Sequence, residues 1–189
     1  MKDIFEKRKQ DILSKNDKSH IGNVDKKIAS LCEKINKSKN CYTTSSCSGR
    51  VVIMIDQQKK AENLFLLVYH DLINFIDLKK DLSKILSENK KNIIKFKQEP
   101  CILHVACKNF EDAEEILNCA RISGWKKSGI ISSGKRFIVE MNSTEKLEFP
   151  IIDKNILLVD DYFLKLIIKK ANFNLKKSWE KIEKLEKLI

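Results

Sequence analysis

Residues 126–141 read KKSGIISSGKRFIVEM. Two runs rich in β-branched and aromatic residues flank the pair Ser133-Gly134, and this spacing predicts a hairpin turning there. A hairpin makes its two strands antiparallel, whereas a doubly wound sheet needs a helix between successive parallel strands. The stretch therefore points to an α+β chain.

The segments on either side agree. Upstream, NFEDAEEILNCARISG (109–124) predicts a helix with Asn109 as N-cap and Gly124 at its C-terminal end. Strands are expected at RVVIMID (50–56), NLFLLVYH (63–70), NIIKFKQ (92–98) and CILHVAC (101–107), with a helical stretch over residues 77–88. Two amphipathic helices come first. KDIFEKRKQDILSK gathers Ile4, Phe5, Ile12 and Leu13 near one face, and NVDKKIASLCEKINKS takes Asn23 as N-cap with Asp25 in its first turn. Downstream, LEFPI (147–151) adds a short strand. Asp160 or Asp161 then caps a long helix whose apolar positions Leu164, Ile168, Ala171, Leu175, Trp179, Ile182 and Leu185 keep helical spacing. Together these elements predict a mixed, largely antiparallel sheet packed with helices. No GxGxxG, GxxxxGK[ST] or HExxH occurs. With two prolines, five glycines and no linker, residues 1–189 are expected to form a single α+β domain, of a size that two small lobes sharing a core would also fill.

Thirty-seven Lys and Arg against 26 Asp and Glu give a formal charge of +11. The excess is uneven: residues 1–50 carry twelve basic and six acidic side chains, whereas residues 101–150 carry seven of each. Such a bias suits either a polyanionic partner or a solvated lysine surface. Only Arg8, Arg50, Arg121 and Arg136 are arginines, so an arginine here is more informative than a lysine. No apolar window is long enough to span a bilayer, and a cytoplasmic protein is expected. The six cysteines lack metal-ligand spacing. Strand alternation in CILHVAC puts Cys101 and Cys107 on one face and His104 on the other, so no metal and reduced thiols are expected.

Residues 42–50, YTTSSCSGR, read as a polar loop leading into a strand. A nucleophilic Cys47 of the phosphatase kind fails on spacing, because only Ser48 and Gly49 separate it from Arg50. Two readings stay open: a long turn whose hydroxyls satisfy their own backbone, or a cradle for a carboxylate, phosphate or ribose with Arg50 as forked partner. His104 lies mid-strand behind the Glu99-Pro100 turn, and His70 ends its strand in a similar place. In GWKKSGI, Trp125 beside two lysines could stack a base or simply close a helix exit.

DKSHIGNVD (17–25), YTTSSCSGR, the strand ending in His70, EPCILHV (99–105), SGWKKSGI (123–130) and KKAN (169–172), in this order, resemble the wybutosine-synthesizing protein 3 family over essentially the whole chain. The family commonly has a basic residue where this chain has Ile21, and a small hydroxyl residue where it has Tyr69. The resemblance implies a fold other than the Rossmann methyltransferase fold. It also implies an S-adenosylmethionine-dependent tRNA methyltransferase acting on the ring nitrogen at position 4 of the tricyclic base beside the tRNA-Phe anticodon. With it, Thr44, Ser45, Cys47, Ser48, Gly49, His70, Ser128 and Gly129 are expected at the cofactor and Ser46 at the chemistry, and His104 is expected as the base because histidine accepts a proton near neutral pH. Lys18, Ser19, Asp25, Arg50, Lys126 and Asn172 would then meet the substrate. The partner is the anticodon loop of tRNA-Phe, and a monomer is expected. The reading from another class is an RNA-binding module without chemistry.

Overall fold

Every strand pairing in the computed structural model, which describes residues 3–14, 25–57, 64–88 and 92–189, is antiparallel. The described chain runs α1 (Ile4–Leu13), α2 (Lys26–Lys37), β1 (Cys41–Cys47), β2 (Arg50–Ile55), β3 (Phe65–Tyr69), α3 (Phe75–Ser87) and β4 (Ile94–Glu99). It continues through β5 (Ile102–Cys107), α4 (Phe110–Ile122), β6 (Lys127–Ser133), β7 (Phe137–Asn142), β8 (Leu147–Asp153), β9 (Ile156–Leu157) and α5 (Asp161–Leu188). This is the α+β architecture that the hairpin indicates. The chain divides into two compact units, one of Met1–Ser48, Cys101–Thr144 and Ser178–Ile189, the other of Gly49–Pro100 and Glu145–Lys177.

The first unit is built on a four-stranded sheet in the order β1-β5-β7-β6. Its inner face presents Leu103, Val105, Val139 and Met141, which are fully buried with Ile28, Leu31 and Ile35 of α2, Ala113 and Ala120 of α4, and Ile182 and Leu185 of α5. The helices bury one stripe each, which is what their 3.6-residue periodicity requires. Trp125 is fully buried in this core, and its indole N–H donates to the Lys181 carbonyl at 3.2 Å. It is therefore a core residue and not a base-stacking platform; removing it to Ala should cost about 3–5 kcal/mol.

Two readings of this unit are corrected. The second helix begins at Lys26 with Asp25 as N-cap, its carboxylate accepting from the Lys27 amide at 3.1 Å; Asn23 lies outside the described residues. The hydroxyl-rich segment is not a loop. Cys41–Cys47 is an edge strand paired with β5, with an irregularity between Thr43 and Ser45, and only Ser48-Gly49 turns the chain, at a Gly49 φ of 97°. Asn36 of α2 secures the strand: its carbonyl oxygen accepts the Thr43 amide at 2.7 Å, and its NH₂ donates to the Thr43 hydroxyl at 3.1 Å.

The second unit carries a five-stranded sheet in the order β3-β2-β4-β8-β9. Alternation along β4 buries Ile94, Phe96 and Gln98 and turns Lys95, Lys97 and Glu99 the other way. Buried Gln98 is satisfied by Asn174, whose side-chain N–H donates to it at 2.8 Å. Asn74 caps α3 at the Asp77 amide, so this helix starts two residues before the expected stretch at 77. Lys154 and Asn155, both at positive φ, make the two-residue turn joining β8 to β9. Asp160 caps α5, accepting from the Phe163 amide at 2.8 Å.

Candidate functional site

The four-stranded sheet aligns Ser45, His104, Glu140 and Gly129 as direct cross-strand partners, one from each strand. Residues paired this way stand on one face at roughly 5 Å intervals. It is the outer face, opposite the helical core. Phe5 of α1 covers one end of it by packing with Tyr42 and Ala106. The row beyond the histidine is Cys47, Ile102, Asn142 and Lys127.

His104 Nε2 lies 2.9 Å from Glu140 Oε2, and Asn142 Nδ2 donates to Glu140 Oε1 at 3.1 Å. The pair is partly exposed, with side-chain accessibilities of 25% and 35%. An ionised carboxylate only accepts, so this contact puts the ring proton on Nε2 and leaves the Nδ1 lone pair as an acceptor. A Cβ built on Gly129 would meet nothing within 4 Å, so there is open space at the end of the row.

The structure sorts the residues expected at the site. Ser45, His104 and Gly129 share the outer face, and Cys47 follows one row on. Ser46 is the partner of Leu103, and Ser128 of Met141, which turns both toward the inner face. The Ser128 hydroxyl donates to the Trp125 carbonyl at 2.7 Å. Thr44 occupies the irregularity in β1, its hydroxyl 3.5 Å from the His104 carbonyl. Ser48 is fully buried and donates to the Asp25 carboxylate, so that side chain caps α2 with one oxygen and ties down the end of β1 with the other. Lys126 is exposed. Lys18 and Ser19 lie outside the described residues.

Arg50, His70 and Asn172 belong to the second unit. Arg50 Nε donates to Glu99 at 2.6 Å, and its guanidinium stands 5.1 Å from the Phe65 ring centroid. Lys97 meets the other Glu99 oxygen at 2.8 Å. Burial pushes the Glu99 carboxyl up, but the hydrogen bonds from Lys97 and Arg50 outweigh it and hold the group below its ordinary value. Asn172 clamps the backbone of Ile73, accepting its N–H at 3.0 Å and donating to its carbonyl at 2.8 Å. That fixes the segment running from half-buried His70 into α3. Tyr69 donates to Asp81 of α3 at 2.7 Å, and burial followed by that carboxylate pushes its hydroxyl well up.

Sequence reasoning does not single out Glu140, Asn142, Glu99 or Asn36, which the structure sets against His104, Glu140, Arg50 and Thr43. For Glu140 a signal existed: a carboxylate in mid-strand between Val139 and Met141 faces the side opposite the core. Nothing in a single sequence joins it to His104, thirty-six positions away. Among the described residues no cluster suited to a metal ion occurs, and no helix is long and apolar enough to cross a membrane.

Two antiparallel sheets, no glycine-rich phosphate loop and a histidine–carboxylate pair on an open sheet face define an α+β protein outside the Rossmann class. A solved structure of a Pyrococcus horikoshii protein has this architecture, with a TM-score of 0.85, 32% sequence identity and coverage of 97% of this chain and 92% of that one. The sequence profile of the family described as Methyltransferase TYW3 matches residues 7–189, and the chain belongs to that family. A Thermococcus sibiricus relative is 37% identical, covering 95% of this chain and 90% of its own length, and is named tRNA(Phe) 7-((3-amino-3-carboxypropyl)-4-demethylwyosine(37)-N(4))-methyltransferase. A Danio rerio relative, a tRNA wybutosine-synthesizing protein 3 homolog, is 31% identical over 99% of this chain and 75% of its own.

Proposed function

We propose that this chain is an S-adenosylmethionine-dependent tRNA methyltransferase that methylates the ring nitrogen at position 4 of the tricyclic base beside the tRNA-Phe anticodon. The observation that carries the reading is the His104–Glu140 pair, flanked by Ser45 and open space at Gly129, in a member of this methyltransferase family.

The outer face suits the cofactor chemically. Glu140 offers a carboxylate to a cation, Ser45 offers a hydroxyl, and Gly129 lets a ligand approach the backbone. When bound, S-adenosylmethionine supplies an electrophilic methyl group on sulfur. A conjugated ring nitrogen is a poor nucleophile while it keeps its proton, and His104 Nδ1 is the acceptor this geometry provides. Glu140 holds the Nε2–H, fixes the tautomer and faces the imidazolium once the proton has moved. Asn142 keeps the carboxylate in place. Holding the reactants in line supplies most of the remaining rate. In the second unit, Glu99 engages Arg50 through Nε, so the terminal nitrogens keep their donors for an anionic group of the substrate.

The test is transfer of tritium from S-adenosyl-[methyl-³H]methionine to tRNA-Phe carrying the 4-demethyl base. Label should appear in the tricyclic base, and His104→Gln should lower the single-turnover rate by about a hundredfold. An unchanged rate removes His104 from the chemistry. Tight tRNA binding with no label transferred makes the chain a binding module.

A further inference from the structure

Between Tyr162 and Lys177, helix α5 carries five lysines (165, 169, 170, 176 and 177) and no carboxylate. Positions separated by four, three and four residues share a helix face, so Tyr162, Leu166, Lys169 and Phe173 form one stripe. It lies opposite buried Leu164, Ile168, Ala171 and Leu175. Tyr162 is 79% exposed, Leu166 52% and Phe173 50%. A helix that needs only to be soluble would put polar side chains there. The rings are also set among ammonium groups. Lys170 Nζ stands 5.1 Å and Lys177 Nζ 5.7 Å from the Phe173 centroid, while on α3 the Phe75 ring is bracketed by Lys79 and Lys165 at 5.4 and 4.9 Å.

The pattern selects among partners. A protein interface concentrates apolar side chains and excludes charge from its centre, particularly lysine. Insertion into a lipid surface needs a continuous apolar face. Here Lys169 interrupts the stripe, and Tyr162 and Phe173 stand eleven residues apart, about 16 Å along the axis. Separated rings alternating with ammonium groups match an RNA strand, whose bases stack on aromatic faces while its phosphates meet cations.

We propose that the α3–α5 face of the second unit is a docking surface for a single-stranded stretch of RNA, with Phe173 stacking a base and Lys165, Lys169 and Lys170 meeting phosphates. Identifying that RNA as the substrate tRNA rests on the function proposed above; the surface itself does not.

The test is equilibrium binding of tRNA-Phe between 50 and 200 mM KCl to wild type, Lys169→Ala/Lys170→Ala and Phe173→Ala. All three positions are exposed, and equal urea midpoints confirm that the variants fold. The double lysine variant should bind several-fold more weakly at low salt, with its log–log salt slope reduced by about two. Phe173→Ala should weaken binding about tenfold with the slope unchanged, and Phe173→Trp should restore it. Affinity and slope unchanged in the lysine variant overturn the proposal. So does unchanged tRNA binding accompanied by loss of self-association in sedimentation velocity or loss of binding to anionic phospholipid vesicles, which would make the face a protein or lipid surface. Failure of the function is distinguishable: wild type that binds tRNA through this face but transfers no methyl leaves the surface standing. Wild type that methylates, with the lysine variant retaining its KM for tRNA, leaves the function standing and removes the surface.

Discussion

Glu140 Oε2 sits 2.9 Å from His104 Nε2, and the other oxygen of the same carboxylate accepts from Asn142. A carboxylate held from both sides keeps its orientation, which the proposed proton transfer to His104 requires. Glu140→Ala should therefore lower kcat about tenfold or more while KM for tRNA changes less than threefold, and Glu140→Asp should recover part of kcat. Steady-state methylation at saturating tRNA separates the two parameters. A loss confined to KM would mean that Glu140 binds substrate and does not position the histidine.

Ser45 is the cross-strand partner of His104, whereas Ser46 is the partner of Leu103. Ser45→Ala should lower single-turnover methylation, and Ser46→Ala should leave it within about threefold. The reverse order would place the chemistry on the inner face of the sheet, away from His104.

Arg50→Lys keeps the charge but loses both the Nε contact to Glu99 and the planar fork. Methylation at saturating tRNA and cofactor should fall at least tenfold, beyond any change in tRNA affinity. Near-normal turnover would reduce Arg50 to an ion pair that lysine replaces.

Glu99 makes its own contribution to the pH dependence of the second unit. Its folded-state value is depressed below the ordinary 4.5, so its contribution to stability is present above pH 4.5 and is lost as pH falls through the lower folded value. In urea titrations the stability gap between wild type and Glu99→Gln should be constant above about pH 5 and narrow steadily below 4.5. A gap independent of pH from 3 to 7 would contradict the ion-paired assignment.

Asn172 satisfies both backbone groups of Ile73. Asn172→Leu leaves a partly buried N–H and C=O without this partner, and should cost about 1–3 kcal/mol of unfolding free energy. Hydrogen exchange at residues 70–74 should rise more than at β5. Uniform destabilisation without that local increase would show that the clamp is not local.

Periodicity determined the helices and most of the strands, because which residues a helix or strand must bury is written in spacing of 3.6 or 2, and the Ser133-Gly134 turn determined the antiparallel class. The α5 stripe from Leu164 to Leu185 and the Asn109 cap could be read directly. The motif order also carried the family. What only the tertiary structure decided is the state of residues 41–47 and which candidate residues share one face of the sheet. Thr43, Thr44, Ser45 and Ser46 have no hydrophobic alternation to reveal a strand; pairing with β5 and the Asn36 contacts order them. Once that register forms, a side chain's face follows from its partner, so Ser45 joins His104 and Ser46 does not. Glu140 joins them across the sheet because hydrogen-bond register, unlike helical or strand period, is a property of two segments distant in the chain.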